Sequence, residues 1–294
     1  MRNQFKTAAL LALLSSLLIA ISYGLIGGSS GLIIGIGLAA VTNLFAWYQS
    51  DKIALAAYRA QEVSPQEAPG LYQMVQRLCT CANLPMPKIY IVPSPSPNAF
   101  ATGRDPEHAA VAVTEGILNL LPEDELEAVI AHELTHIINR DTLTQAVAAT
   151  IAGAISFVAQ LVSYGFWYTP SRDDRDGPNP IGILLTVLLA PISATIIQLA
   201  ISRTREFAAD AGSARLTGNP RALASALQRL EATAKQVPID ANPAFEPLLI
   251  TNSFSGQMLT NLFSSHPSTE VRVRELLKLE QQLSSSSSRF SFGR

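Results

Sequence analysis

The stretch AVIAHELTHIINRD, residues 128–141, decides how this chain is to be read. It carries His132, Glu133 and His136 among the apolar residues Val129, Ile130 and Leu134. Pro122 precedes it, and Glu123, Asp124 and Glu125 crowd the first turn, as suits a helix N-terminus. On a helix, positions i and i+4 share one face, so the two imidazoles can grip one Zn2+. Glu133 sits beside the first of them, where it can take a proton from a water that the metal acidifies. The five-residue pattern alone would also suit two surface histidines. Its apolar flanks favour a helix packed inside a domain, and two of the chain's four histidines fall in it.

A catalytic zinc needs a third protein ligand and one open position. The best candidate is Glu206, in SRTREFAADAG (residues 202–212). Arg203, Glu206 and Asp210 recur at helical spacing and so share a face, and Phe207, Ala208 and Ala209 make the region apolar. Ligating histidines usually donate their second ring proton to an acceptor. Asp141 and Asp210 are candidates for that role, or else simple helix-surface acids.

Composition argues against an ordinary soluble protein. Charged residues are 15% of the chain, against about 25% typically. A net charge of -2 with no Lys/Arg run gives no sign of a nucleic-acid partner. Two cysteines, Cys79 and Cys81, are too few and too close for a disulfide framework or a zinc ribbon, and read as reduced thiols in a reducing compartment.

Between Thr7 and Ser50 there is no Asp, Glu, Lys, Arg or His. A bilayer span takes about 20 apolar residues, so this run holds two: Thr7–Tyr23 and Leu32–Tyr48, broken at Gly24–Gly31. A cleaved signal peptide fits poorly, because a second apolar span follows at once. Two more uncharged stretches, Thr142–Ser171 and Gly177–Ser202, are long enough to cross, and could instead be buried helices or dip into the membrane. Arg2, Lys6, Lys52, Arg59, Arg140, Arg203 and Arg205 all fall on one side of four crossings, which the positive-inside rule makes the cytoplasmic one.

The expected organisation is therefore a membrane hairpin (1–50), a first soluble part (51–141), a second membrane hairpin (142–202), a second soluble part (203–283) and a disordered Ser-rich tail (284–294). Within the first soluble part, Pro69–Cys81 reads as an amphipathic helix, and KIYIV (88–92), NAFAT (98–102) and AAVAVT (109–114) as strands. The helix with the histidines runs into the third span, and the one with Glu206 runs out of the fourth. A hairpin between those spans would bring all three ligands together at its cytoplasmic mouth.

These residues resemble the HtpX membrane proteases, relatives of the type 1 CAAX prenyl endopeptidase. The likeness rests on HELTH, EFAAD, FSSHPSTEVRV (residues 263–273) and NAFATG (residues 98–103). It implies an α+β zincin-like (gluzincin-type) protease domain joined to about four transmembrane α-helices. It also implies one Zn2+ per chain on His132, His136 and Glu206, with Glu133 as base. The resemblance further implies that Asn98, Ala99 and Phe100 bind substrate backbone along a sheet edge. By the same likeness His266 stabilises the oxyanion and Arg272 helps hold substrate or site. His108 matches no motif. The implied work is quality control: cutting damaged or misassembled membrane proteins on the cytoplasmic side of a bacterial plasma membrane rather than a plastid one. A site-2-type intramembrane protease would need an Asp ligand in a later span, and spans three and four hold no acid. A zinc-stabilised membrane scaffold would not require Glu133.

Overall fold

The computed structural model describes residues 2–148, 151, 203–234 and 267–291. The chain opens with two helices, α1 (Arg2–Ile26) and α2 (Gly28–Ala57). The break expected over Gly24–Gly31 contracts to Gly27 and Gly28, at φ 74° and 58°. Glycine adopts such angles without steric cost, so both helices run almost to the reversal. Small residues let them approach closely: a Cβ at Gly35 would lie 2.8 Å from the Ile19 backbone. Asn43 Nδ2 donates to Ser15 Oγ across the pair at 2.7 Å.

Among the described residues, α2 is the helix long and apolar enough to cross a membrane. Its outward face carries Ile33, Ile34, Val41, Leu44 and Phe45, all exposed. At 1.5 Å per residue it is about 45 Å long, against a hydrocarbon core of about 30 Å. The helix therefore passes unbroken through the expected domain boundary at residue 50. Its last turns bring Ala54 and Leu55 onto the sheet.

That sheet has four strands in the order β1-β2-β4-β3: β1 (Gln61–Glu62), β2 (Lys88–Val92), β3 (Ala99–Gly103) and β4 (Ala109–Thr114). β2 and β4 are parallel, and β3 runs antiparallel to β4 at the edge. Strand residues alternate between faces. Ile89, Ala99, Ala101, Val111 and Val113 join the main core, whereas Val92, Phe100, Ala110 and Ala112 meet the end of α2 with Val147, Ala148 and Ile151. Burial on both faces explains why AAVAVT is apolar at every position but its last.

The main core packs α3 (Pro69–Ala82), α4 (Glu115–Leu120), α5 (Glu123–Ile138), α6 (Arg203–Thr217), α7 (Pro220–Ala234) and α8 (Thr269–Ser291) against the sheet. Pro122 is the N-cap of α5 rather than its first helical residue. α8 runs on through the serine run, where the sequence suggested a disordered tail from Ser284. A serine costs a helix only about 0.5 kcal/mol relative to alanine, too little to end one already established. Residues 142–148 are helical and mostly buried, tied to α1 by a 2.9 Å bond between the Thr7 and Thr144 hydroxyls. The rest of the third expected span, apart from Ile151, and the whole of the fourth lie outside the described residues.

Candidate metal centre

From Ala128 to Ile137, α5 is buried on every side, so its polar residues must find partners within the protein. His132 and His136 stand one turn apart with ring planes at 90° and centroids 4.9 Å apart. Glu206 enters from the first turn of α6, about seventy residues further along the chain. Its carboxylate oxygens lie 3.6 Å from His132 Nε2 and 3.7 Å from His136 Nε2. Ligand atoms of all three residues fit within 4.8 Å of one another. Ligand bonds of about 2.1 Å in a tetrahedron set neighbouring donors about 3.4 Å apart, so the triangle is close to the size zinc requires.

Each imidazole is turned by a carboxylate behind it. His132 Nδ1 donates to Asp210 Oδ1 at 3.0 Å, and His136 Nδ1 donates to Asp141 Oδ2 at 3.1 Å. With Nδ1 turned to its carboxylate, each Nε2 faces Glu206. Asp141 reaches its place through the end of α5. The Asp141 amide donates to the His136 carbonyl at 2.9 Å and the Arg140 amide to the Ile137 carbonyl at 3.0 Å. Arg140 takes the left-handed conformation at φ 57°, completing a Schellman turn in which glycine is usual. Asp210 comes one turn after Glu206 and faces Arg272 of α8. The guanidinium donates through Nε to Oδ2 at 2.9 Å and through Nη2 to Oδ1 at 2.6 Å. Arg272 Nη1 also lies 3.8 Å from Glu206.

Burial disfavours charge on His132, but the Asp210 and Glu206 carboxylates outweigh it and push the imidazole up to about 9. Burial alone would raise Asp210; the Arg272 guanidinium and His132 overcome it and hold the carboxyl below its usual range. Glu133 is raised, chiefly by its own burial. Among the described residues, four buried carboxylates (Glu133, Asp141, Glu206, Asp210) face two buried guanidiniums (Arg205, Arg272). With both imidazoles neutral, as ligation requires, the formal excess of two negative charges is what a dication cancels, so the donor set fits Zn2+ by charge as well as by size.

The structure places the other expected site residues as follows. Glu133 Oε2 accepts the Ala101 amide of β3 at 2.9 Å, which puts the acid against the edge strand. At the other end of that strand's pairing, the Thr114 amide donates to the Asn98 carbonyl, and the Asn98 amide donates to Thr114 Oγ1. Antiparallel ladders alternate, so the main-chain groups of Asn98 and Phe100 point at β4. Of the expected trio, only Ala99 presents its backbone to the outer edge of β3, which no other described strand pairs, joined there by Ala101. The Phe100 side chain lies on the opposite face, its ring 5.0 Å from that of Tyr58. Arg272 is 2% exposed, and its guanidinium is engaged with Asp210 and Glu206. Arg203 is exposed, and the buried arginine of α6 is Arg205. His266 lies outside the described residues, and His108 is exposed, its ring 2.7 Å from Asp105 in a turn.

Two histidines one turn apart, a glutamate from a second helix and a further glutamate against an edge strand are what a zincin-like metallopeptidase requires. The family model and the sequence relatives agree with that class. Residues 65–280 match the family model described as Peptidase family M48. A "Protease HtpX homolog" of Nostoc punctiforme is 80% identical over 284 residues, covering 96% of this chain and 98% of its own. One from Trichormus variabilis is 79% identical, covering 96% and 99%. Among solved structures, the crystal structure of S. mikatae Ste24p matches with a TM-score of 0.49 at 20% identity; the match covers 92% of this chain, which spans 62% of that one. The chain belongs to peptidase family M48, as a metalloendopeptidase of the HtpX type.

Proposed function

We propose that the chain binds one Zn2+ through His132, His136 and Glu206. With it, the protein hydrolyses peptide bonds of misfolded or damaged membrane proteins at the cytoplasmic face of a bacterial plasma membrane. The observation that carries this reading is the meeting of three donor atoms within 4.8 Å. They come from helices far apart in sequence, and Glu133 stands beside them. A bound zinc supplies Lewis acidity there, polarising a peptide carbonyl and lowering the pKa of water toward about 7.

The chain's own residues do the rest. Glu133 takes the proton of the attacking water and returns it to the departing amine. The Ala101 amide fixes one Glu133 oxygen and leaves the other to face the water. Ala99 aligns an extended substrate by adding it as a strand at the edge of β3, which asks little of side-chain identity. His266, by resemblance, stabilises the oxyanion. Residues 51–141 and 203–283 form the two halves of the protease domain, and 1–50 and 142–202 anchor it as two hairpins. The basic flanks of the apolar runs support the cytoplasmic orientation. Glu206 as third ligand favours this reading over a site-2-type enzyme, whose acid would sit within a span.

Purified in detergent, the protein should carry one zinc and cleave casein. Glu133→Ala should keep the zinc and lose about 10²–10⁴-fold in cleavage, and Glu206→Ala should lose the zinc. Wild-type cleavage by Glu133→Ala would end the proposal. Activity only on bonds inside transmembrane segments would favour the site-2 alternative.

A further inference from the structure

We infer that Arg205 is a positioning residue for the metal centre, acting on His136 through Asp141; the inference rests on the ligand reading above. Arg205 immediately precedes Glu206 on α6, yet its side chain is 5% exposed and turns to a different partner. Its Nη1 lies 3.8 Å from Asp141 Oδ1, while the other oxygen of that carboxylate takes the His136 Nδ1 proton at 3.1 Å. The Schellman turn fixes the Asp141 backbone, and the contacts of the carboxylate fix its side chain. A cation on one oxygen and an imidazole on the other are two of the contacts that set its rotation. His136 is thereby held with Nε2 toward Glu206.

A tighter form of the arrangement stands on the other histidine, where Asp210 lies between His132 and Arg272 and is hydrogen-bonded to the guanidinium, whereas Arg205 meets Asp141 as an ion pair at 3.8 Å. Each ligand imidazole thus has a carboxylate behind it, and each carboxylate has an arginine.

Two effects of Arg205 on zinc oppose each other, which makes the inference testable. As a nearby cation it repels a dication, so its removal by itself would tighten binding. As the brace of Asp141 it strengthens binding through His136, so its removal would weaken it.

Zinc affinity would be measured on the full chain in detergent, by competition with a chelating indicator. The variants are Arg205→Gln, Arg205→Lys, Asp141→Asn, the Arg205→Gln/Asp141→Asn pair and His136→Ala. The expected result is a loss of about 10–100-fold for Arg205→Gln, recovered to within roughly threefold by Arg205→Lys, which keeps the charge on a single-contact pair. In the Asp141→Asn background, Arg205→Gln should add less than about threefold, because the intermediary is gone. Unchanged or tighter binding by Arg205→Gln overturns the inference, as does an equal loss in both backgrounds. Should Gln prevent folding, Arg205→Lys decides: retained affinity supports the brace, and a tenfold loss in a protein that melts like wild type overturns it. Wild-type affinity in His136→Ala would instead refute the ligand reading on which this rests.

Discussion

Gly212→Ala should open the metal centre although residue 212 touches no ligand. Gly212 lies on α6 against Thr135 of α5, and Thr135 is the residue just before His136. A Cβ at Gly212 would fall 2.3 Å from Thr135 Cγ2, 2.5 Å from Oγ1 and 2.9 Å from Cβ. Turning the Thr135 side chain cannot relieve this, because its Cβ is itself too near. Carbon atoms rest about 3.5–4.0 Å apart, so the helices must separate locally by more than about 1 Å. The histidines ride on one helix and Glu206 on the other, at 3.6 and 3.7 Å. A shift of that size takes the gap to about 4.5 Å or more, where ligand bonds of about 2.1 Å no longer reach from all three donors. Overpacking of this kind costs about 1–3 kcal/mol in stability, and zinc affinity should fall at least about tenfold. Chelator competition reads the affinity, and thermal melts in excess chelator read the fold. Adding Thr135→Ala removes the two nearer atoms and leaves only the 2.9 Å contact, so the double variant should recover much of both losses. Wild-type zinc affinity in Gly212→Ala, or an equal penalty with and without the Thr135 side chain, would refute the argument.

Arg140→Gly should stabilise the protein by about 0.5–1 kcal/mol, since glycine takes the left-handed position without strain; denaturant melts check it. Arg272→Met should cost about 3–5 kcal/mol by leaving Asp210 and Glu206 buried without their cation. A variant that melts like wild type and only raises KM would return Arg272 to a substrate role. Glu125, which burial would raise, is held below its usual range by Arg229 and Ser225, so its contribution is present above about pH 4.5 and is lost as pH falls through the folded value. Glu125→Gln should therefore lower Tm at pH 7, with the difference from wild type closing toward pH 3. His132 rises to about 9 through its carboxylate partners, so zinc must displace a proton below that pH. Apparent affinity should then tighten up to about tenfold per pH unit from 7 to 9 and level off above.

The centre of the site was legible because its chemistry is local. Histidines at i and i+4 with a glutamate between them need only a helix, and Pro122 with three acids announces one. Asp141 and Asp210 were candidates on the same ground, being within reach of the helices that carry the ligands. What the sequence hid depends on contacts between distant segments. Arg203 and Arg205 differ by one turn-fraction on a helix, and only the packing of α6 on α5 decides which is buried. Phe100 lies in the right strand, but ladder pairing with β4 turns its backbone away from the edge and its ring toward Tyr58. The Ala101 amide is a main-chain donor, and no residue type reveals it. The helical hairpin at the N-terminus was readable from its uncharged run. Its reversal proved tighter because two adjacent glycines suffice.

The composition of α6 follows from this geometry rather than from helix propensity. Two donors at i and i+4 lie along one face, so the third vertex of a metal site has to arrive from outside α5. That requires a second helix close enough for a carboxylate as short as Glu206 to reach both imidazoles. The segment AADAG meets the demand with Gly212 at the contact, although glycine inside a helix costs about 1 kcal/mol relative to alanine. Ser213 offsets some of that loss by donating its hydroxyl to the Ala128 carbonyl on α5 at 2.6 Å, which pins the two helices in register. A larger residue at 212 would favour the isolated helix and spoil the pair. In this segment, the spacing of the metal donors prevails over the preference of the chain.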